Sequence, residues 1–300
     1  MLRAALLALS RNARLRHFME SGTLGRRLSA RFVAGLHLED ALTAVAACNQ
    51  AGLSATLDHL GENVVEEEDA RAAAGSAIAL LQALQEQRLD GNVSVKLTHL
   101  GLDLGVALAR ENLQAVAAQA AALDNFVRVD MEGSAYTSVT LDMVEELYRS
   151  GLPIGTVLQA YLHRSEADLR RFTALGMRLR LVKGAYKEPA ALALQKKRDV
   201  DANFVRLMQQ LLASGGYHAI ATHDERMIDA TLDFARQEGV APGAFEFQML
   251  YGIRRDLQTR LRRAGWRVRI YVPFGCEWYP YFMRRLAERP ANVLFLLRNL

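Results

Sequence analysis

The chain has 300 residues, 51% hydrophobic and 23% charged, which is enough for one large α/β barrel or two average domains. Its 37 basic and 33 acidic residues are scattered and leave a net charge of only +4, which argues against a nucleic-acid binder. Six prolines with no low-complexity tract argue against extensive disorder, two cysteines exclude a disulfide framework and suit a reducing compartment, and no apolar run is long enough to cross a membrane.

The chain opens on MLRAALLALSRNARLRHF, which has many arginines and no acid before Glu20. The apolar stretch at residues 4–9 is too short for a secretory signal. An amphipathic helix packed on the main domain is the preferred reading, and a transit peptide is the alternative. Leu38, Ala41, Leu42, Val45 and Cys48 then recur at helical spacing. Residues 1–50 therefore read as a helical segment, and residues 51–300 as the main domain.

From residue 54 the pattern changes. Eight short apolar or β-branched runs follow, at 54–61, 92–101, 126–133, 154–162, 178–186, 218–224, 245–250 and 267–275. Between them lie Ala-, Leu-, Glu- and Arg-rich stretches of helical periodicity. Eight alternations of strand and helix predict a (βα)8 barrel, with extra N-terminal helices. An open doubly wound sheet is the alternative, but no G-x-G-x-x-G follows the first strand. The stretch at 163–177 is short, so one helix is expected to be stunted and the barrel distorted.

Polar residues gather near the C-terminal ends of these runs, the face where barrels carry chemistry. In order they are Asp58 and His59, Lys96, Asp130 and Glu132, Gln159 and Tyr161, Arg180 and Lys183, His223 and Asp224, Glu246 and Gln248, and Tyr271. Charges inside apolar runs are costly unless paired or used. Lys96 could be an imine-forming nucleophile, an anchor for a substrate carboxylate, or the counter-ion of Asp130. His59, His99 and His223 lack metal-ligand spacing, so no metal is expected. Lys183-Gly184-Ala185-Tyr186 and Thr222-His223 end neighbouring strands and offer donors to a phosphate. Tyr281, Arg284 and Glu288 share a face of the last helix, with Arg285 beside them. The paired arginines could form a fork for a carboxylate, or belong to a solvated surface run.

Taken together, RLVKGAYKEP, ATHD, FEFQMLYGIR, RIYVPFG and YPYFMRRLAERPANV resemble the proline dehydrogenase family, and VSVKLTHLG, FVRVDMEGSAYT and VLQAYL resemble its earlier strands. The resemblance covers roughly residues 54–298, and the length suits the small monofunctional bacterial form. It implies a distorted barrel with FAD bound non-covalently at the strand C-termini. L-Proline would be oxidised to Δ1-pyrroline-5-carboxylate by hydride transfer to flavin N5, with electrons passed to a membrane quinone. That is the first step of proline degradation to glutamate, in the cytoplasm or at the inner-membrane surface. Transient membrane contact and homo-oligomerisation stay open.

By the same resemblance Arg284 and Arg285 clamp the proline carboxylate, Lys96 reaches it, and Glu288 faces the amine. Tyr271 and Tyr281 shape the pocket. Asp130 is the active-site aspartate, holding Lys96 and its neighbours, and Arg180 stands beside the flavin. Met131 and Gln159 contact the flavin ring. Lys183, Gly184, Ala185, Thr222 and His223 hold its diphosphate and ribityl chain. Glu62 closes over the site by pairing with Arg284. The rivals are an aldolase-type lyase using Lys96 or Lys183, and a non-catalytic basic module that binds membrane or nucleic acid.

Overall fold

The computed structural model describes residues 30–288, with side chains as far as residue 283. The expected basic N-terminal helix falls on residues outside this range. Among the described residues, helix α1 (Leu38–Gln50) precedes β1 (Ser54–His59), α2 (Glu67–Glu86), β2 (Gly91–Val95), α3 (Val106–Ala122) and β3 (Val127–Val129). Next come α4 (Ser134–Arg149), β4 (Ile154–Gln159), α5 (Ser165–Thr173), β5 (Leu179–Val182) and α6 (Lys197–Ala213). The chain then runs through β6 (His218–Ala221), α7 (Glu225–Gln237), β7 (Phe245–Leu250), α8 (Arg255–Arg263), β8 (Arg267–Phe274) and α9 (Trp278–Glu288).

Each strand pairs in parallel with the next, and β8 pairs with β1, so the sheet closes into a barrel. The predicted runs locate all eight strands but overshoot most of their C-terminal ends. VSVKLTHLG leaves the sheet after Val95, and FVRVDMEG after Val129. Alternation continues beyond the last ladder hydrogen bond, where the chain turns outward with its polar residues. The short unit does carry the shortened helix α5 of nine residues.

The outward faces of the strands supply the core. Ala55, Leu57, Val93, Val95, Val127 and Val129 bury against the helices. Ala70, Ala73, Ala74 and Ala77 of α2 and Ala109, Ala117 and Ala120 of α3 are small enough to bring those helices close to the sheet and to each other. Helix α1 adds Ala41, Leu42, Val45 and Cys48 to the same cluster.

The inside of the barrel is different. Paired residues on neighbouring parallel strands face the same way, and the register sets Asp58 beside Ser94, Ser94 beside Arg128, Val157 beside Arg180 and Gln248 beside Arg269. Such barrels commonly fill their interior with branched aliphatic layers. Here the layers hold ions. The Arg128 guanidinium donates to the carbonyl oxygens of Thr156 (2.9 Å) and Arg178 (2.6 Å). Gly155 makes room for it, since a Cβ there would stand 2.2 Å from the Arg178 carbonyl oxygen and 3.0 Å from Arg128.

His218, at the start of β6, accepts from the Leu179 amide (3.2 Å) through Nδ1 and contacts Ser214 Oγ (3.0 Å) through Nε2. Burial, helped by the Arg128 charge, pushes its pKa down to about 4. A depressed folded-state pKa means that the unfolded chain binds the extra proton first. This contribution is therefore complete above about pH 6.5 and is lost as pH falls toward 4. From this histidine alone, unfolding stability should drop by about 2 kcal/mol between pH 7 and pH 5. His218→Asn, which keeps an acceptor for Leu179, should flatten that part of the profile in chemical denaturation. An unchanged slope would remove the assignment.

Candidate active site

At the C-terminal mouth, β1 and β2 bring Asp58 and Lys96 together. Lys96 Nζ donates to both Asp58 oxygens at 2.9 and 2.8 Å, and the two side chains are 11% and 3% exposed. Burial alone would lower the Lys96 pKa. The charges of Asp58, Asp130 and Glu62 override it and hold the amine well above its ordinary value. Burial raises the Asp58 carboxyl, with Lys96 opposing. Lys96 thus finds its counter-ion in Asp58 rather than in Asp130. Asp130 acts on it as a charge and makes its own hydrogen bonds elsewhere. A protonated amine is also no nucleophile toward a carbonyl, which counts against the lyase alternative at this lysine.

Asp130 follows β3 and is the hub of a second cluster. Its Oδ1 accepts from Arg180 NH1 (2.5 Å) and Ser94 Oγ (3.2 Å), and its Oδ2 from the Tyr271 hydroxyl (2.7 Å). Arg180 also donates through Nε to Gln248 and through NH2 to Ser94 (3.2 Å). Its guanidinium lies 5.4 Å from the Tyr271 ring centroid. Burial, then the charges of Asp130 and Asp58, push the Tyr271 phenol far up, so it remains a hydrogen-bond donor. Arg180, Asp130 and Tyr271, expected to share a site, do meet.

The ends of β4, β5 and β6 lie side by side and carry Gln159, Lys183 and Thr222. Gln159 Nε2 donates to the Glu132 carbonyl (3.0 Å), and Glu132 takes the Thr98 hydroxyl (2.6 Å) and amide (3.1 Å). Lys183 pairs with Asp201 and with Asp224 (2.7 Å), which in turn caps α7 through the Arg226 amide. Thr222 Oγ1 accepts from the Asp224 amide (3.1 Å), and His223 Nε2 from the Leu250 amide (2.9 Å). Gly184 has φ +108°, and a Cβ there would sit 2.2 Å from the Tyr161 ring. The backbone can therefore pass close over Tyr161 only as glycine. Met131 is buried and Ala185 exposed.

The last helix is seated by a separate apolar cluster. Trp278, Tyr281 and Phe282 pack with Phe32, Leu60 and Ile253. Tyr281 is 6% exposed. Leu60 follows β1 and Leu250 ends β7, so the cluster anchors α9 beside the mouth. Residues 284, 285 and 288 continue that helix, but the side chains of Arg284, Arg285 and Glu288 lie outside the described part of the structure. Glu62 lines a side cavity of about 380 Å³ with His59, His99 and Cys276. Burial, then the Lys96 charge, lowers the His99 pKa to about 3, so the imidazole is neutral. Among the described residues no group of three or more His, Cys, Asp or Glu could hold a metal ion, and no helix is long and apolar enough to cross a membrane.

Asp58, Ser94, Glu246 and Gln248 are absent from the residues assigned by resemblance. Their signal is positional. Asp58, Glu246 and Gln248 stand among the polar strand-end residues, and Ser94 sits two before Lys96 on the same strand face.

The chain is 43% identical to proline dehydrogenase 1 of Bacillus subtilis subsp. natto, over 100% of this chain and 99% of that protein. It is 41% identical to the proline dehydrogenase of Deinococcus radiodurans, over 91% of this chain and 90% of that one. Among solved structures, proline utilization A (PutA) from Bdellovibrio bacteriovorus superposes with a TM-score of 0.84 at 25% identity, over 96% of this chain. The chain spans only 36% of that larger protein. The family profile described as proline dehydrogenase matches residues 41–298. With its closed barrel and the polar cluster at its mouth, the chain belongs to the proline dehydrogenase family, whose activity opens proline catabolism.

Proposed function

We propose that this mouth binds L-proline against a non-covalently held FAD and oxidises it to Δ1-pyrroline-5-carboxylate, with the electrons passing to a membrane quinone. The observation that carries the reading is the buried Lys96, held protonated by Asp58 beside the Asp130–Tyr271 pair. A fixed cation next to a phenol and a carboxylate suits a small zwitterion. Arg284 and Arg285 would complete the grip on the carboxylate, and Glu288 would face the amine. Tyr271 and Tyr281 would limit the pocket to a small ring.

The donor set at the ends of β4 to β6 fits a dinucleotide. Lys183 would turn from Asp201 and Asp224 toward a diphosphate, and the glycine turn at Gly184 and Ala185 and the Thr222-His223 edge at the start of α7 would add backbone amides. Gln159 and Met131 would border the flavin ring. FAD, when bound, supplies a hydride acceptor and an electron carrier. The protein's part is to hold the proline ring in place, to help it shed the amine proton so that the nitrogen lone pair can assist hydride departure, and to exclude water. Arg180 would stabilise negative charge arriving beside it. Glu288 or a water would take the proton. A quinone acceptor implies an approach to the membrane surface, for which residues 1–15 are the candidate contact.

Purified protein should be yellow and should lose its visible flavin absorbance on anaerobic addition of L-proline. Colourless protein that gains no activity with added FAD, or a spectrum unmoved by proline, overturns the reading.

A further inference from the structure

Deeper in the barrel lies a carboxylate to which nothing above gives a task. Glu246, on β7, is 4% exposed. It accepts from Arg269 Nε on both oxygens (2.9 and 3.0 Å), from the Tyr217 hydroxyl (2.9 Å), and from the Gln248 amide nitrogen (2.6 Å). Gln248 is equally buried, and its amide oxygen accepts from Arg180 Nε. The chain Arg269–Glu246–Gln248–Arg180–Asp130 therefore runs inside the barrel up to the mouth.

A glutamine amide has a donor end and an acceptor end of nearly the same shape, so packing cannot choose between its two orientations. Its partners choose. An ionised Glu246 can only accept and Arg180 Nε can only donate, so both hold Gln248 the same way, donor end toward Glu246 and acceptor end toward Arg180. With Nε held there, Arg180 NH1 meets Asp130 and NH2 meets Ser94. Burial pushes the Glu246 carboxyl up, but the Arg269 charge and the hydrogen bonds from Arg269, Gln248 and Tyr217 outweigh it and keep the group below its ordinary value. A glutamine at 246 has one acceptor oxygen where Arg269 and Gln248 both donate; turned to Arg269, it sets its own N–H against that of Gln248 and pushes the amide off the guanidinium.

We propose that Glu246 is a positioning residue for proline dehydrogenation: it anchors the donor end of the Gln248 amide, which keeps the amide oxygen on Arg180 and the guanidinium aimed at Asp130. This rests on the reading that Arg180 and Asp130 serve the reaction.

The test compares Glu246→Gln, the exchanged pair Glu246→Gln/Gln248→Glu, and Arg180→Lys. Turnover, the KM for proline and thermal midpoints are measured on the holoenzyme, and the Arg180 Nε–H resonance is followed by NMR on the apoprotein. Glu246→Gln should lower kcat about tenfold with KM for proline within about twofold, and should shift or broaden that resonance. The exchanged pair presents Arg180 with a carboxylate, which accepts whichever way it turns. It should restore kcat to within about threefold of the unmodified enzyme, and sharpen the resonance. Unchanged kcat in Glu246→Gln overturns the proposal. So does a loss that the exchanged pair leaves in place, because an acceptor held at Arg180 would then not be what Glu246 supplies. If Glu246→Gln does not fold, Gln248→Leu breaks the same link and leaves the Glu246–Arg269 pair intact; a kcat like that of the unmodified enzyme again overturns the proposal. Full turnover in Arg180→Lys removes the underlying reading of Arg180. A crippled Arg180→Lys beside a normal Glu246→Gln removes the positioning role alone.

Discussion

Asp130→Ala is expected to lower kcat/KM for proline roughly a thousandfold and to cost about 3–5 kcal/mol of stability. Three donors converge on this carboxylate: Arg180, Ser94 and Tyr271. Arg180 and Asp130 are 6% and 12% exposed, so truncation leaves a guanidinium with little water and no opposite charge. Tyr271 loses its acceptor at the same time. Asp130→Asn separates folding from chemistry. Its oxygen can serve Arg180 and Ser94 while the amide nitrogen meets the Tyr271 hydroxyl, which can turn to accept. This variant should lose clearly less stability than Asp130→Ala, because the hydrogen bonds survive, but keep most of the kinetic loss, because the charge is gone. Steady-state kinetics with thermal denaturation check both. An Asp130→Asn enzyme with ordinary turnover would show that the carboxylate is only a structural hub.

The second large effect is expected at Asp58, which would act on the substrate through Lys96. Asp58→Asn removes the main charge that holds the buried ammonium protonated. Burial then acts on Lys96 with weaker opposition, and its pKa falls. The KM for proline should rise roughly tenfold to a hundredfold. The sign of its pH dependence is diagnostic. In the unmodified enzyme Lys96 stays charged through the neutral and mildly alkaline range. In Asp58→Asn the lysine discharges as pH rises, so KM should climb with pH while kcat changes less. A KM that rises equally at every pH would mean the carboxylate merely shapes the pocket. An unchanged KM would remove Lys96 from proline binding.

Much of this site was legible before any coordinates. Period-2 alternation in strands such as VSVK and RLRLVK marks which side chains face inward, and the residues just past each apolar run are the ones that reach the mouth. That places Lys96, Asp130, Arg180 and Tyr271 on one rim. Pairing within the rim was not legible. Lys96 stands 38 residues from Asp58 and 34 from Asp130, and nothing local favours either acid. The choice depends on strand order and stagger. β1 and β2 are direct neighbours, and their register sets Asp58 level with Ser94, one turn of the pleat below Lys96.

The amino-acid order by itself determined the eight-fold alternation, the shortened fourth unit and the residue types at the mouth, because hydrophobic period and helix-breaking residues act over a few positions. Only the tertiary structure decided which ions pair. Closing β8 onto β1 brings Tyr271 to Asp130 across 141 residues, and the barrel's stagger stacks Arg269, Glu246, Gln248 and Arg180 into one hydrogen-bonded column. Charges in a water-poor interior must find partners in space, and spatial neighbours across a closed sheet leave no trace in local spacing.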